Sequence, residues 1–119
     1  MADILLAEDD DGLRRFLAKA LVQAGHQVVT AENGAVAKRL LDAHHFNLLI
    51  TDIVMPEMDG IQLARHATRE VPNIRVLFIT GFAAVALRDR PPELSEASAL
   101  SKPFHLRDLV RQVDLIMAA

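Results

Sequence analysis

Short apolar runs alternate along this chain with segments whose apolar residues recur at helical spacing. A run of about four to eight apolar residues is too short for a helix and is typical of a strand buried on both faces of a parallel sheet. Such runs occupy residues 4–7, 46–50, 74–79 and, most weakly, 97–100, and residues 26–30, which contain Val28-Val29, predict a further strand. The alternation predicts an α/β fold in which helices cover both faces of a doubly wound, five-stranded parallel sheet.

Helix boundary signals lie between these runs. Asp10 or Asp11 can cap a first helix, and Asn33-Gly34 opens a second. Val71-Pro72 ends a third helix, and the last helix is predicted over residues 106–117.

The segment before the fifth predicted strand departs from this pattern. Residues 83–87 could begin a helix, but Pro91-Pro92 prevents its continuation, because proline lacks an amide donor and clashes with the preceding turn. We therefore predict a shortened, irregular fourth helix followed by a loop.

Composition narrows the functional classes. The 119 residues predict one domain, residues 1–119, without a separate output domain. The 13 basic and 16 acidic residues form no basic run, which argues against nucleic-acid binding, and the absence of cysteine excludes disulfides and thiolate chemistry. No apolar stretch is long enough to cross a bilayer, so we expect a cytoplasmic protein without a membrane partner.

Polar residues follow several of the predicted strands. Glu8-Asp9 follows the first, Asp52 ends the third, Thr80 ends the fourth and Lys102 follows the fifth. Open parallel sheets bind ligands at the carboxyl ends of their strands, so we expect these side chains to converge there.

Glu8, Asp9 and Asp52 would meet if the first and third strands are neighbours. Each close pair of carboxylates costs roughly 4 kcal/mol at an effective dielectric of about 20, so a cation should lie between them. Oxygen-only ligation favours a hard ion such as Mg²⁺. The alternative is a solvated acidic rim around the strand ends.

The presence of Lys102 favours a metal site over a solvated acidic rim, because the formal charges of the three carboxylates, Mg²⁺ and one ammonium sum to zero. A site balanced in this way can accept a phosphoryl group on Asp52, with Thr80 donating a hydroxyl hydrogen bond to it. Taken singly, Thr80 and Lys102 could equally be an ordinary strand-end hydroxyl and a surface cation.

The remaining parts of the predicted site complete the ligand set. Asp9 would hold the metal directly and Glu8 through water, and the backbone carbonyl of Val54 could supply a further ligand. Pro103 would fix the chain after Lys102, and we hypothesise that it does so through a cis bond.

Motifs over the whole chain resemble the receiver domains of two-component response regulators. They are Glu8-Asp9, Asp52, Met55-Pro56, Met58-Asp59-Gly60, Thr80-Gly81 and Lys102-Pro103-Phe104. The resemblance implies a flavodoxin-like sheet of order 2-1-3-4-5 and Mg²⁺-dependent phosphoryl transfer onto Asp52 from a histidine kinase or histidine phosphotransferase. It also implies a monomer that assists its own phosphorylation and dephosphorylation but is not otherwise an enzyme.

A narrower resemblance is carried by residues 52–64, 78–87 and 100–109 and by the terminal Ala118-Ala119. These segments look like the alphaproteobacterial single-domain regulators. That resemblance implies an adaptor of the ClpXP protease that acts through the ClpX unfoldase when unphosphorylated. It further implies inactivation by a cell-cycle phosphorelay and recruitment to a cell pole.

The chain departs from the common receiver pattern at Ala99, where most receivers carry an aromatic switch residue. Phe82 and Phe104 are candidates for that role, although both could be ordinary packing residues; alternatively, the switch is a transition between order and disorder. The surface that includes Phe104 and His105 is the usual partner face of receivers.

Two other functions use the same residues. The chain could be a phosphorelay shuttle or phosphate sink. It could also be an Mg²⁺-dependent phosphohydrolase, but those enzymes usually place an acid two residues after the nucleophile, where this chain has Val54.

Overall fold

The computed structural model of the chain describes residues 1–81 and 91–118. The predicted short helix over residues 83–87 and the candidate switch residue Phe82 lie outside the described residues.

A five-stranded sheet forms the centre of the molecule, with strand order β2-β1-β3-β4-β5. Each neighbouring pair of strands runs parallel, which confirms the predicted doubly wound sheet. The strands are β1 (Asp3–Ala7), β2 (Gln27–Ala31), β3 (Leu48–Asp52), β4 (Arg75–Thr80) and β5 (Ser98–Ser101). Because β1 and β3 are neighbours, the residues that follow them are brought together.

Helices of the described part of the chain lie on both faces of this sheet. They are α1 (Asp11–Gln23), α2 (Gly34–Ala43), α3 (Gly60–Glu70) and α4 (Leu106–Ala118), and a short 3₁₀ turn covers Pro92–Leu94. The side chains of Asp10, Asn33 and Asp59 cap the first three helices by accepting backbone amide hydrogen bonds. None of the helices in the described residues has the length and apolar composition needed to cross a lipid bilayer.

Two layers of buried side chains hold the helices to the sheet. One layer contains Leu41 of α2 and Leu63 of α3. The other contains Leu17 of α1 and Leu109 of α4. All five residues of β3 are buried, so Asp52 ends a strand that is enclosed on both faces.

Several strand boundaries differ from those predicted by the apolar runs. β3 begins at Leu48 rather than at residue 46, because Phe46 is buried in the core without pairing in the sheet. β2 begins at Gln27, and the preceding His26 instead accepts a hydrogen bond from the Ala2 amide at Nδ1 (3.1 Å). Phe16 fits the helical spacing but is 57% exposed. Hydrophobicity therefore located the elements but not their ends.

Candidate functional site

The carboxylates of Glu8, Asp9 and Asp52 meet at the carboxyl ends of β1 and β3. One oxygen from each residue lies within 4.8 Å of the others. Glu8 and Asp52 are 1% and 8% exposed, whereas Asp9 is exposed. The structure thus brings together the three acidic residues that the sequence predicted to form a site. Two of them are buried and one is exposed to solvent.

The loop between β1 and α1 positions two of these carboxylates. The Glu8 amide donates to the carbonyl of Ala31 in β2 (3.1 Å), and the Asp10 amide donates to Glu8 Oε2 (3.2 Å). Arg14 of α1 reaches back over the loop, and its Nη1 donates to the Glu8 carbonyl (2.9 Å). Sequence reasoning missed Arg14; the available signal was its position between Leu13 and Leu17, near the inward side of the helix.

Lys102 lies between two of the carboxylates. Its Nζ donates to Asp52 Oδ2 (2.6 Å) and to Glu8 Oε1 (3.1 Å). Its backbone amide donates to the carbonyl of Thr80 (2.9 Å), and the following peptide bond to Pro103 is cis. The end of β5 therefore delivers an ammonium group to the acidic residues across the sheet.

Burial and ion pairing act in opposite directions on the charged groups of the site. Burial raises the pKa of Glu8 above its usual value, although the Asp10 amide and Lys102 oppose that effect. Burial lowers the pKa of Lys102, but its hydrogen bonds to Asp52 and Glu8 outweigh this, and the pKa lies above its usual value. Lys102 is therefore an ammonium at neutral pH, and one ammonium faces three carboxylates.

The loop between β3 and α3 closes over Asp52. The Val54 amide donates to Asp52 Oδ1 (3.3 Å), and the Gly60 amide donates to the carbonyl of Ile53 (2.8 Å). A Cβ at Gly60 would lie 2.0 Å from the carbonyl oxygen of Asp52, so only glycine permits this approach. Val54 is 68% exposed beside the carboxylate, and the ligand role of its carbonyl stays a prediction.

Thr80 is buried, whereas the residues after Lys102 are exposed or half-buried. Thr80 is 2% exposed at the end of β4, directly across from Ser101 of β5. Its hydrogen bond to a phosphoryl oxygen stays a prediction. Pro103 and His105 are exposed, whereas Phe104 is half-buried against the layer formed by α1 and α4.

Ala99 and Phe104, the two positions considered for the switch that the structure describes, pack against different core layers. Ala99 is half-buried against the opposite core layer, which contains α2 and α3. The partial burial of Phe104 is what an ordinary packing residue would show. Its role in a switch therefore stays a prediction, as does that of Phe82.

The donor set fits Mg²⁺. Glu8, Asp9 and Asp52 offer carboxylate oxygens with no histidine or cysteine among them, and hard cations prefer oxygen ligands. Two of the three carboxylates are buried, and burial without full charge compensation favours a bound cation. The exposed Asp9 leaves one side of the group open to water, which Mg²⁺ usually retains.

Comparison with known proteins gives consistent matches. The family model of the response regulator receiver domain matches residues 4–114. The response regulator receiver protein CpdR of Brucella abortus is 56% identical over 119 residues, which cover 100% of this chain and 99% of that protein. The sensor kinase CckA of Brucella abortus is 33% identical over 114 residues, which cover 94% of this chain but only 12% of the kinase.

A solved structure of a response regulator is also similar to this chain. The response regulator TrrA of Thermotoga maritima, crystallised in complex with Mg²⁺-BeF, is similar with a TM-score of 0.85 and 25% sequence identity. The match covers 98% of this chain and 99% of TrrA.

Proposed function

Because this chain belongs to the response regulator receiver domain family, we propose that Asp52 accepts a phosphoryl group from a histidine kinase or histidine phosphotransferase. The observation that carries the proposal is the pairing of Lys102 Nζ with Asp52 Oδ2 at 2.6 Å, beside the carboxylates of Glu8 and Asp9. A buried carboxylate with a cation already in contact is suited to nucleophilic attack on an anionic group.

Each residue of the site has its own role in the phosphoryl transfer. One Asp52 oxygen attacks the phosphorus while the bond between phosphorus and the donor's imidazole nitrogen breaks. The Val54 amide and Lys102 orient the carboxylate before attack. Lys102 then contacts the phosphoryl oxygens, and the Thr80 hydroxyl donates a hydrogen bond to them. The buried ends of β3 and β4 exclude water from one side of the acyl phosphate.

We propose that Glu8, Asp9, Asp52 and the Val54 carbonyl hold Mg²⁺, with Glu8 acting through water. When bound, the ion neutralises charge on the carboxylates and on the phosphoryl oxygens. The Mg²⁺-BeF complex of the similar TrrA supports this assignment.

Mg²⁺ should stabilise the protein through Asp9. At about one hundred times its Kd, a ligand of the folded state adds about 2.7 kcal/mol to the free energy of unfolding. We expect Mg²⁺ to raise the wild-type Tm by several degrees and to raise that of Asp9→Asn much less. Asp9 is exposed, so the variant should fold normally. Glu70→Gln, at an exposed acidic residue that ends α3, should keep the wild-type response; an equal Mg²⁺ effect on Asp9→Asn would contradict the ligand assignment.

We propose that residues 1–119 act as one receiver domain, a monomer in the cytoplasm, whose unphosphorylated form is an adaptor for ClpXP in cell-cycle control. Phosphorylation of Asp52 would end this activity, ClpX would be the partner of the unphosphorylated form, and the protein would be recruited to a cell pole. The narrower resemblance supports this role, as does the identity with CpdR over the full length of both chains.

Reconstitution with ClpXP and a candidate substrate tests the adaptor role. The unphosphorylated protein should accelerate substrate degradation, the phosphorylated protein should not, and Asp52→Asn should accelerate it under both conditions. An equal degradation rate with and without phosphorylation of the wild type would contradict the proposed control. A pull-down from lysate with Asp52→Ala separates an adaptor from a shuttle. An adaptor should still bind an unfoldase without the Asp52 carboxylate, whereas a shuttle should lose its function.

A further inference from the structure

Arg14 is a largely buried cation beside the candidate metal site. Its side chain is 15% exposed although it lies on a surface helix. Nη1 donates to the carbonyl of Glu8 (2.9 Å), and Nη2 donates to Asp11 Oδ1 (2.6 Å). The planar guanidinium thus joins the start of α1 to the loop that precedes it.

That loop carries two of the three carboxylates. The other polar groups of Glu8 are also held: its amide by Ala31, Oε2 by the Asp10 amide and Oε1 by Lys102. The Glu8 carbonyl belongs to the planar peptide group that leads into Asp9, so holding this carbonyl also holds the Asp9 N and Cα atoms, from which the Asp9 side chain extends. The hydrogen bond from Arg14 therefore acts on the geometry of Asp9 without touching its carboxylate.

From these contacts we propose that Arg14 is a positioning residue for the metal site, an inference that rests on the proposed Mg²⁺ binding. A positive charge close to a cation site repels the cation, so through charge alone Arg14 would weaken metal binding. Through geometry it strengthens binding, because it fixes the loop before the ion arrives. Removal of Arg14 should lower the Kd for Mg²⁺ if its charge dominates and should raise the Kd if its positioning of the loop dominates.

The experiment measures the Kd for Mg²⁺ of the folded protein. The chain has no Trp and no Tyr, so backbone amide NMR titration with Mg²⁺ alone is the readout. Arg14→Met, which keeps the apolar stem and removes the donors, should raise the Kd roughly tenfold, as is usual for groups that orient metal ligands. Arg15→Met removes the same charge from the adjacent exposed position and should leave the Kd almost unchanged.

The Tm without Mg²⁺ separates positioning from a purely structural role. A structural role would lower this Tm in Arg14→Met and leave the Kd of the folded protein unchanged, and that result would overturn the inference. A lower Kd in Arg14→Met would overturn it too, because charge repulsion would then dominate.

If Arg14→Met does not fold, Arg14→Lys is used: it retains the charge but lacks the planar fork. Its Kd should rise severalfold, and an unchanged Kd would overturn the inference. A wild-type protein that does not bind Mg²⁺ would instead contradict the proposed function on which the inference rests.

Discussion

Asp52→Asn is expected to abolish phosphoryl uptake from a histidine kinase in the presence of Mg²⁺. The amide has nearly the same shape as the carboxylate, but it lacks the negative charge and the nucleophilic oxygen that forms an acyl phosphate. Its oxygen can still accept a hydrogen bond from the Val54 amide or from Lys102, the two contacts of the native carboxylate. We therefore expect the loss of chemistry without loss of the fold.

Asp59→Asn is the matched control for this variant. Asp59 is exposed and caps α3 by accepting from the Gln62 amide, and asparagine caps helices about as well as aspartate. Intact-mass measurement should show one added phosphoryl group on wild type and on Asp59→Asn, and none on Asp52→Asn. Uptake by Asp52→Asn at the wild-type rate would remove Asp52 from the proposed role.

Gly60→Ala is expected to lower the free energy of unfolding by about 3 kcal/mol, the upper end of the usual cost of overpacking. The added Cβ would lie 2.0 Å from the carbonyl oxygen of Asp52 and 2.9 Å from the Cα of Ile53. The first atom belongs to the last residue of buried β3 and the second to the residue that follows it, so the backbone cannot move away without disturbing the end of the strand. Relief of the clash would also displace Asp52, so phosphoryl uptake should slow in the fraction that folds.

Gly12→Ala provides the opposite case in the same chain. Gly12 lies within α1, and a Cβ there would meet Asp10 Oδ1 at 3.5 Å, an ordinary contact distance. Alanine in a helix is favoured over glycine by roughly 0.5–1 kcal/mol, so this variant should be more stable than wild type. Urea unfolding of the two variants gives both free energies, and a similar change in each would contradict the steric argument.

Part of the site was predictable from sequence because it depends on strand ends. In a parallel sheet the carboxyl ends of neighbouring strands share one edge, so polar residues after apolar runs could be placed together. Glu8, Asp9, Asp52 and Lys102 do meet there. The strand order was predicted only through the resemblance, since periodicity alone does not say which strands are neighbours.

The remaining features depend on contacts between segments that periodicity does not relate. Arg14 fits the pattern of a surface helix, and its hydrogen bond to the Glu8 carbonyl is visible only in three dimensions. The need for glycine at position 60 likewise comes from the approach of α3 to the backbone of Asp52. Phe46 shows the same limit, because its burial resembles that of a strand residue although it precedes β3.

The position of the phosphoryl group on the wild-type chain tests the central claim most directly, because a variant can lose uptake for an indirect reason. The protein is phosphorylated by a histidine kinase with Mg²⁺, reduced with borohydride to convert any aspartyl phosphate to homoserine, and digested for tandem mass spectrometry. We predict modification at Asp52 and none when Mg²⁺ is removed with a chelator. A phosphoryl group on another residue, or equal uptake without Mg²⁺, would contradict the account.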